Sequence, residues 1–548
     1  MHAPRPRTAQ TTCVLAAASA VVAGLISAVP AQALNGPDAP AGQYTSVVKL
    51  TVGGETNSRG CTGTLVDASW VLTAASCFTA TPGDGVPAGK PALKSVVTFG
   101  DTKTVEITEL APRTDRDLVL ARLATPAANI AGVKRATAAP ATGTDLTAAG
   151  FGRTKTEWVP GKLHTGAFTA GAVGATTLTL TGKGTDVLCK GDTGGPLLNT
   201  AGELVGVNSR SWQGGCLDVD AAETRTGAVS VRTDDLGEWI DGHRARSSGW
   251  KTATAIQSGS SLYQGIRLPD GSWTGFADVQ TRAGDIGGVR SSAVVGMNGD
   301  THVLAISNNG GLFHVIRKED GTWGTFGDVF GVAGTLGNLT SVTATNIGYD
   351  LHVVAVADGK VLHTVRNAAG QWTKFGDVSG EAGRIDNVTA AATASTGGQL
   401  QVTAVSGGKA YHTLRNTAGQ WTAWGDVVAA VGSTTGPITA VTMAGTGNDA
   451  QIVITTDNGT RQYHAIRNGN GTWTPLGDLK PILGTVTAKS VAAAPVNGEL
   501  QFVVTTADNK VLHTIRHTDR TWDTPTTVPL QGLPAAPGNI AITPTWTP

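Results

Sequence analysis

Short apolar runs, separated by glycine, proline and threonine, recur along nearly the whole chain. Two clear examples are Ser46–Val52 and Leu204–Asn208. Runs of this length between turn-forming residues predict β-strands. The 73 glycines and the low charged fraction of 15% also favour many short strands. One helix is predicted, at Asp234–His243, because the segment begins with an acidic residue. The pattern as a whole predicts an all-β protein.

From Trp250 onward the hydrophobic pattern repeats. Each unit has apolar inner strands such as Leu351–Val356, a longer strand such as Lys360–Arg366, a G-x-W turn and an outer strand ending in G-D-V or a close variant. The turn tryptophans are spaced by 50, 49, 49, 52 and 49 residues, at Trp273, Trp323, Trp372, Trp421, Trp473 and Trp522. A period of about fifty residues with several short strands per unit predicts a β-propeller.

The two ends of the repeat region are incomplete units. The first copy, Ser261–Asp278, lacks its preceding inner strands, and the last copy is followed by Asn539–Thr543 without an outer strand. We expect this tail to pair with the first half-unit, because a closed ring leaves no unpaired strand edges. The prediction is six blades, with seven as the alternative, across residues 247–548 after a short joint at Ser247–Gly249.

The N-terminus has the pattern of a secretory signal. Arg5 and Arg7 precede an apolar run from Cys13 to Val29, and Ala31–Ala33 fits a small-residue cleavage site. No second long apolar run follows, so no membrane span is expected. Residues 1–33 are therefore predicted to be a signal peptide and the protein to be secreted and extracellular. Four cysteines remain after cleavage, which predicts two disulfides in an exported protein.

Charge argues against a nucleic-acid partner. The 41 basic and 41 acidic residues cancel, and neither a polybasic stretch nor an acidic tail is present. The repeated histidines, at His314, His363, His412, His464 and His513, suggest a metal, but no repeat offers two close ligands. We expect no metal, no cofactor and a monomeric chain.

The first half of the chain contains the segment C-T-G-T-L at Cys61–Leu65, followed by W-V-L-T-A-A-S-C at Trp70–Cys77. The second segment resembles the block that reads T-A-A-H-C in chymotrypsin/trypsin-like serine proteases. C-K-G-D-T-G-G-P-L at Cys189–Leu197 resembles the loop that normally reads G-D-S-G-G-P. Further similarity lies in D-L-V-L-A-R-L, V-G-V-N-S and E-W-I, at 117–123, 205–209 and 238–240. The resemblance implies a two-barrel peptidase domain at residues 34–246.

Two catalytic residues of the family are replaced. Ser76 stands at the histidine position and Thr193 at the serine position, whereas Asp117 is retained. The backbone N–H groups of Gly191 and Thr193 occupy the oxyanion-hole positions. A serine cannot accept a proton near pH 7, and the β-methyl group of threonine restricts its hydroxyl. We therefore expect Asp117 to bond to Ser76 and the backbone, and we expect no peptidase activity.

The same resemblance implies the disulfides, the pocket and a role for Asp192. It pairs Cys61 with Cys77 and Cys189 with Cys216. The pocket would be formed by Val187, Leu188, Ser209 and Trp212. Without aspartate at its floor, it should not prefer arginine or lysine. Asp192 would pair with a freed amine near Leu34, with a frayed terminus as the alternative. His164 and His243 are expected to be ordinary surface histidines rather than substitute bases.

The repeats resemble bacterial lectin-type propellers related to the fucose-binding Photorhabdus lectin. This resemblance implies carbohydrate sites between blades, with sugars on Trp323, Trp372, Trp421, Trp473 and Trp522. Repeated weak sites would gain affinity through multivalency. Packing is the alternative explanation for the recurrence of these residues. In that case the tryptophan fills the space between blades, and the arginine that recurs in each repeat pairs with the aspartate of the G-D-V turn.

Three functions therefore stay open. The chain is a secreted, inactive protease homologue whose cleft binds protein or peptide and whose propeller binds carbohydrate, or it is an active serine-type endopeptidase with unconventional residues. The third alternative is a lectin-like surface-binding protein in which the barrels are a spacer. Ser76 and Thr193 favour the first and third over the second.

Overall fold

The computed structural model describes residues 38–81, 83–100 and 103–548. The predicted signal peptide and the predicted new terminus at Leu34 lie outside these residues. None of the helices in the described ranges is long and apolar enough to cross a membrane. The architecture is all-β, with two six-stranded barrels followed by six four-stranded sheets.

The first barrel closes in the order β1-β2-β3-β6-β5-β4. Its strands are β1 (Val47–Val52), β2 (Arg59–Asp67), β3 (Trp70–Thr73), β4 (Ser95–Phe99), β5 (Lys103–Pro112) and β6 (Val119–Leu123). Alternation along β1 buries Val48 and Leu50 inside the barrel and leaves Lys49 partly exposed. A 3-10 helix, Ala75–Phe78, follows β3, and the Cys61–Cys77 disulfide ties it to β2 as predicted.

The second barrel closes in the order β10-β11-β12-β9-β8-β7. Its strands are β7 (Asp145–Gly150), β8 (His164–Val173), β9 (Thr177–Gly182), β10 (Pro196–Leu198), β11 (Leu204–Ser211) and β12 (Ala228–Arg232). The predicted Cys189–Cys216 disulfide lies beside it. An apolar cluster that includes Trp70, Leu120, Leu204 and Val207 joins the two barrels, so the cleft between them has a rigid base.

Helix α1 (Gly237–Arg244) packs on this joint through Ile240. It begins three residues later than the sequence predicts. The predicted first residue, Asp234, is instead ion-paired to Arg232 at 2.8 Å, and Asp235 pairs with Arg116 at the same distance. Their carboxylates are therefore occupied outside the helix, whose N-terminus has no side-chain cap.

The propeller has six blades, which confirms the predicted number. The first contains β13 (Gly249–Ser258), β14 (Ser261–Arg267), β15 (Ala277–Asp278) and β36 (Pro537–Thr547). The second and third contain β16 (Val289–Met297), β17 (Asp300–Ser307), β18 (Leu312–Arg317) and β19 (Gly327–Asp328), then β20 (Leu339–Ile347), β21 (Asp350–Ala357), β22 (Lys360–Arg366) and β23 (Gly376–Asp377). The fourth and fifth contain β24 (Val388–Thr396), β25 (Gln399–Ser406), β26 (Lys409–Arg415) and β27 (Gly425–Asp426), then β28 (Ile438–Thr446), β29 (Asp449–Thr456), β30 (Arg461–Arg467) and β31 (Gly477–Asp478). The sixth contains β32 (Ala488–Val496), β33 (Glu499–Thr506), β34 (Val511–Arg516) and β35 (Thr526–Thr527).

The C-terminal tail closes the ring as expected. Strand β36 is the innermost strand of the first blade and pairs antiparallel with β13, from Gly249↔Thr547 to Ser258↔Pro537. The expectation that the first unit lacks all its inner strands is wrong, because β13 is one of them. Its central Lys251–Ala255 segment has only small side chains after the lysine, so the strand is hard to recognise in the sequence, although Ile256 is fully buried.

Short helices follow the outer strands of the first five blades, and a second 3-10 turn, Asp457–Gly459, follows β29. The helices are α2 (Gln280–Ala283), α3 (Val329–Ala333), α4 (Ser379–Ala382), α5 (Val427–Val431) and α6 (Lys480–Leu483). The expected pairing of the repeated arginine with the turn aspartate is wrong. In three blades that aspartate pairs with a cation at the start of the neighbouring strand, as in Asp377–Lys360 at 3.2 Å and Asp478–Arg461 at 2.9 Å. In the first blade it accepts from the Ser261 hydroxyl.

Candidate functional site

Asp117 lies just before β6, in the cleft between the barrels, and receives three hydrogen bonds. The backbone N–H of Ser76 donates to its Oδ1 at 2.7 Å, and the Ser76 hydroxyl donates to Oδ2 at 3.0 Å. Ser209, on β11, donates its hydroxyl to the same Oδ2 at 2.6 Å. The expected bond between Ser76 and Asp117 is therefore present, and Ser209 is a further partner.

Ser76 cannot supply base chemistry in this arrangement. Its single hydroxyl proton is already donated to the carboxylate, and a serine hydroxyl has no titration near neutral pH. The geometry thus holds a hydroxyl where a general base would be required to activate Thr193.

Thr193 follows the buried Asp192 in the loop before β10. Its hydroxyl donates only to the backbone carbonyl of Ser209, at 3.5 Å, among the side-chain hydrogen bonds of the described residues. In the same described residues, the backbone N–H groups of Gly191 and Thr193 donate no hydrogen bond to another protein group. Two donors therefore remain free at the positions expected for an oxyanion hole.

Two buried threonines brace this loop, and the sequence prediction missed both. The Thr62 hydroxyl donates to the Gly191 carbonyl at 2.8 Å and accepts from the N–H of Phe151 at 2.9 Å. The Thr73 hydroxyl donates to the Thr62 carbonyl at 2.7 Å and lies where a Cβ on Gly194 would collide. The sequence did contain a signal for these residues. A threonine inside a buried strand needs a hydrogen-bond partner for its hydroxyl, and the partner can be a neighbouring loop.

Asp192 is buried and held by the protein backbone. Its carboxylate accepts from the N–H groups of Gly152 and Cys189, each at 2.8 Å. Burial raises the pKa of this carboxyl to about 7. A Cβ on Gly150 or Gly152 would collide with the carboxylate, so glycine is required at both positions. The predicted amine partner near Leu34 lies outside the described residues, and that pairing stays a prediction.

The four predicted pocket residues lie in different environments. Val187 is buried against the Cys189–Cys216 disulfide. Leu188 instead packs into the core of the second barrel. Trp212 is 55% exposed, and the Arg225 guanidinium lies 3.5 Å from its ring centroid. Ser209 is bonded to Asp117. Only Trp212 among these four therefore presents a large exposed surface.

His164 and His243 are not surface histidines, contrary to the sequence expectation. His164 is 7% exposed on β8, with its Nδ1 3.3 Å from Asp38. His243 packs edge-on against Trp70 and Trp239, and burial lowers its pKa to about 4. Neither histidine is hydrogen-bonded to Thr193 in the described structure.

In the propeller, a histidine of one blade meets a tryptophan of the next in five of the six crevices. The ring centroids are 5.4–5.8 Å apart and nearly perpendicular, for the pairs His314–Trp372, His363–Trp421, His412–Trp473, His464–Trp522 and His513–Trp273. Trp273, which the sequence prediction of sugar sites omitted, belongs to this set. Trp323 has no histidine opposite it. Each tryptophan also packs against a hydrophobic cluster of the blades, and the side chains remain half-buried.

Each of these histidines has a buried polar partner on the neighbouring inner strand. In the second and third blades the partner is a histidine, as in His302 Nδ1–His314 Nε2 at 3.0 Å and His352 Nδ1–His363 Nε2 at 3.1 Å. In the other three it is a glutamine, at Gln401, Gln451 and Gln501. Glutamine therefore satisfies the same geometry without a titratable group.

Replacing His302 and His352 with glutamine is expected to make the propeller more resistant to acid. Burial, together with the charge of an arginine in the next blade, lowers the pKa of both histidines from 6.5 to about 4. Between pH 6.5 and pH 4 the unfolded chain binds more protons than the folded chain, so the free energy of unfolding falls as the pH falls through this range. Each substitution by glutamine should reduce this fall by an amount on the order of 2 kcal/mol.

The measurement is the melting temperature of the wild type and the double variant at neutral pH and near pH 4.5. The control is Gln401→His with Gln451→His, which should increase the acid sensitivity. An unchanged drop in melting temperature for the glutamine variant, with normal stability at neutral pH, would show that these pairs do not govern the acid response.

A comparison with models of known families gives a match to the first domain. Residues 33–240 match the family model described as Trypsin. A search of curated proteins found no match to the chain.

Proposed function

Because the N-terminal domain of this chain belongs to the trypsin-like serine protease family, we propose that the protein is a secreted, catalytically inactive member of it. The cleft between the barrels would bind a protein or peptide segment without cleaving it. The propeller would carry this domain and contribute a second binding surface.

The bonding of Asp117 carries this proposal. The carboxylate that would orient a histidine instead holds the hydroxyl and N–H of Ser76, together with Ser209. Thr193 has no base beside it, because its hydroxyl reaches only a backbone carbonyl. Loss of one member of a catalytic triad removes several orders of magnitude of rate, and a second loss adds little.

Peptide binding is supported by the parts of the cleft that remain intact. The loop at Thr193 is braced by Thr62 and Thr73, and the N–H groups of Gly191 and Thr193 are free to donate. The exposed face of Trp212 adds apolar surface at the rim. A bound carbonyl oxygen could therefore be held without any step that breaks its amide bond.

Secretion is supported by two observations. The two disulfides, Cys61–Cys77 and Cys189–Cys216, are bonds that persist in oxidising compartments. The N-terminal sequence has the charge, apolar run and small-residue site of a secretory signal.

We expect the purified protein to show neither labelling by a fluorophosphonate probe nor cleavage of casein. The probe reacts with an activated hydroxyl, and the Thr193 hydroxyl has no base to activate it. An active trypsin in the same assay is the positive control. Labelling or cleavage that disappears in Thr193→Ala would contradict the proposal and support the active endopeptidase.

Carbohydrate binding by the propeller is the second candidate function. The half-buried tryptophans recur at the blade interfaces, where aromatic faces could stack on sugar rings and arginine could donate hydrogen bonds. Repeated equivalent crevices would give weak binding per site and tighter binding to multivalent surfaces.

We expect a glycan array to show binding of the full-length protein to at least one class of immobilised sugar, with fucosylated glycans included. Trp421→Phe keeps an aromatic ring against His363 and should reduce the signal modestly, whereas combined replacement of several crevice tryptophans should abolish it. An array without binding would leave the lectin-like function without support.

A further inference from the structure

The crevice between the first and second blades differs from the other five. Gln264 occupies the place of the repeated histidine, since it pairs with Ala255 as His314 pairs with Leu304. Its inner-strand partner is also lost, because Ala253 stands where His302 stands in the next blade. The crevice that faces Trp323 therefore has an amide in place of the repeated imidazole, and a methyl group in place of its inner-strand partner.

The space left by these residues is a cavity of about 440 Å³ that helix α1 of the trypsin-like domain covers. Glu238 and Asp241 of α1 line one side, whereas Gln264, Arg317 and Trp323 belong to the blades. A volume of several hundred Å³ is in the range of small-molecule sites.

The helix is fixed over the crevice by polar contacts between the two domains. Asp241 accepts from the N–H of Gly275 at 2.8 Å, and Arg244 donates to the Ser272 hydroxyl at 2.7 Å. Glu238 forms an ion pair with Arg282. The cover is therefore part of the folded chain, and the cavity combines groups from both domains.

The blade side of the cavity presents donors without acceptors. Arg317 is 8% exposed as a residue, and within the described ranges its guanidinium forms no ion pair or side-chain hydrogen bond. Its nitrogen atoms are not fully enclosed by protein, and the side chain lines the cavity. The Nε2 of Gln264, which is 6% exposed, is also unpartnered. Burial and the nearby Arg282 lower the pKa of Arg317 to about 10, so it stays charged at neutral pH.

The carboxylates at the cavity wall do not meet this need. Asp241 is engaged by Gly275 and by Arg244 at 3.0 Å, and Glu238 by Arg282. Asp278, the third carboxylate at the wall, accepts from the Ser261 hydroxyl at 2.8 Å and from the N–H of Gln280 at 2.7 Å. A buried cation without a partner is costly, and a buried amide donor adds to that cost. What the cavity lacks is an anionic acceptor beside Arg317.

We propose that this cavity between the two domains binds a small sugar acid, with its carboxylate on Arg317 and Gln264 and its ring against Trp323. Guanidinium groups bind carboxylates through two parallel hydrogen bonds, which matches the unpartnered donors. The Thr281 hydroxyl at the wall can accept from one of the remaining hydroxyl groups. The proposal for this site does not depend on whether the protease-like domain is inactive. It also does not depend on sugar binding in the other five crevices, because those crevices contain a histidine and this one does not.

The test is calorimetric titration of the full-length protein with D-glucuronate and D-galacturonate, with D-glucose and D-galactose as neutral controls. We expect one saturable site per chain for at least one of the two acids and none for the neutral sugars. Arg317→Gln should weaken binding at least tenfold. Among the described residues that line the cavity, it removes the guanidinium that has no carboxylate partner, whereas Arg282 is paired with Glu238. The matched control, Arg366→Gln at the equivalent position of the next crevice, should leave binding unchanged.

Gln264→Ala provides a second variant that keeps the buried guanidinium and should weaken binding severalfold. Absence of saturable binding to both acids would overturn the proposal, as would equal binding of the neutral sugars. Equal weakening by Arg366→Gln would place the site in the open crevices and also overturn it. Failure on any of these grounds leaves glycan binding at the other five crevices untouched, because the residues differ.

Discussion

Deleting Gly538–Pro548 is expected to prevent the propeller from folding as a closed ring. The deletion removes β36, which pairs with β13 along its whole length and forms the innermost layer of the first blade. Ile540 and Ile542 of this strand are buried against the sixth blade, in a cluster with Ala494 and Val503. Losing two buried isoleucines alone costs on the order of 5 kcal/mol, comparable with the total stability of many domains.

The opened ring would also expose long strand edges, which favours aggregation. Size-exclusion chromatography with light scattering, together with thermal unfolding, measures both effects. The control is Trp546→Ala, since this residue lies on the same strand but is 47% exposed and should change the melting temperature little. A truncated protein that stays monomeric and melts at the wild-type temperature would refute closure by the tail.

Restoring two side chains, Ser76→His with Thr193→Ser, is expected to create fluorophosphonate reactivity and peptidase activity. The rate of hydrolysis should rise about a thousandfold or more above the wild type. Asp117 is already positioned and would accept from the imidazole in place of Ser76, while Ser209 continues to hold it. The loop is braced, and the N–H groups of Gly191 and residue 193 are free to stabilise an oxyanion.

Two matched variants separate catalysis from a change in folding. Thr193→Ser alone lacks a base and should stay unreactive, and Ser76→His with Thr193→Ala has a base but no nucleophile. Active-site labelling is the primary measurement because it does not depend on which peptide fits the pocket. If the double variant folds, with both disulfides formed, and remains unlabelled, the framework around Asp117 is not competent for acyl transfer.

The amino-acid sequence was sufficient to locate much of the candidate site. The blocks around Ser76, Asp117 and Thr193 could be located because their sequences resemble motifs of trypsin-like serine proteases. The bond between Ser76 and Asp117 also followed, since a retained acid beside a new hydroxyl needs a donor. Ser209 and Thr62 could not be assigned as partners, because each lies on a strand that only the closed barrels bring to the site.

The sequence by itself determined the all-β class, the six repeats and their closure, because strand periodicity and a period of about fifty residues are properties of consecutive residues. Tertiary structure alone decided the burial of His164, the packing of His243 between two tryptophans, the extra inner strand β13 and the covered crevice at Arg317. Each of these depends on contacts between distant segments, such as α1 over the crevice between the first and second blades. The free energy of burying a charge or an imidazole depends on those surroundings rather than on the neighbouring residues in the chain.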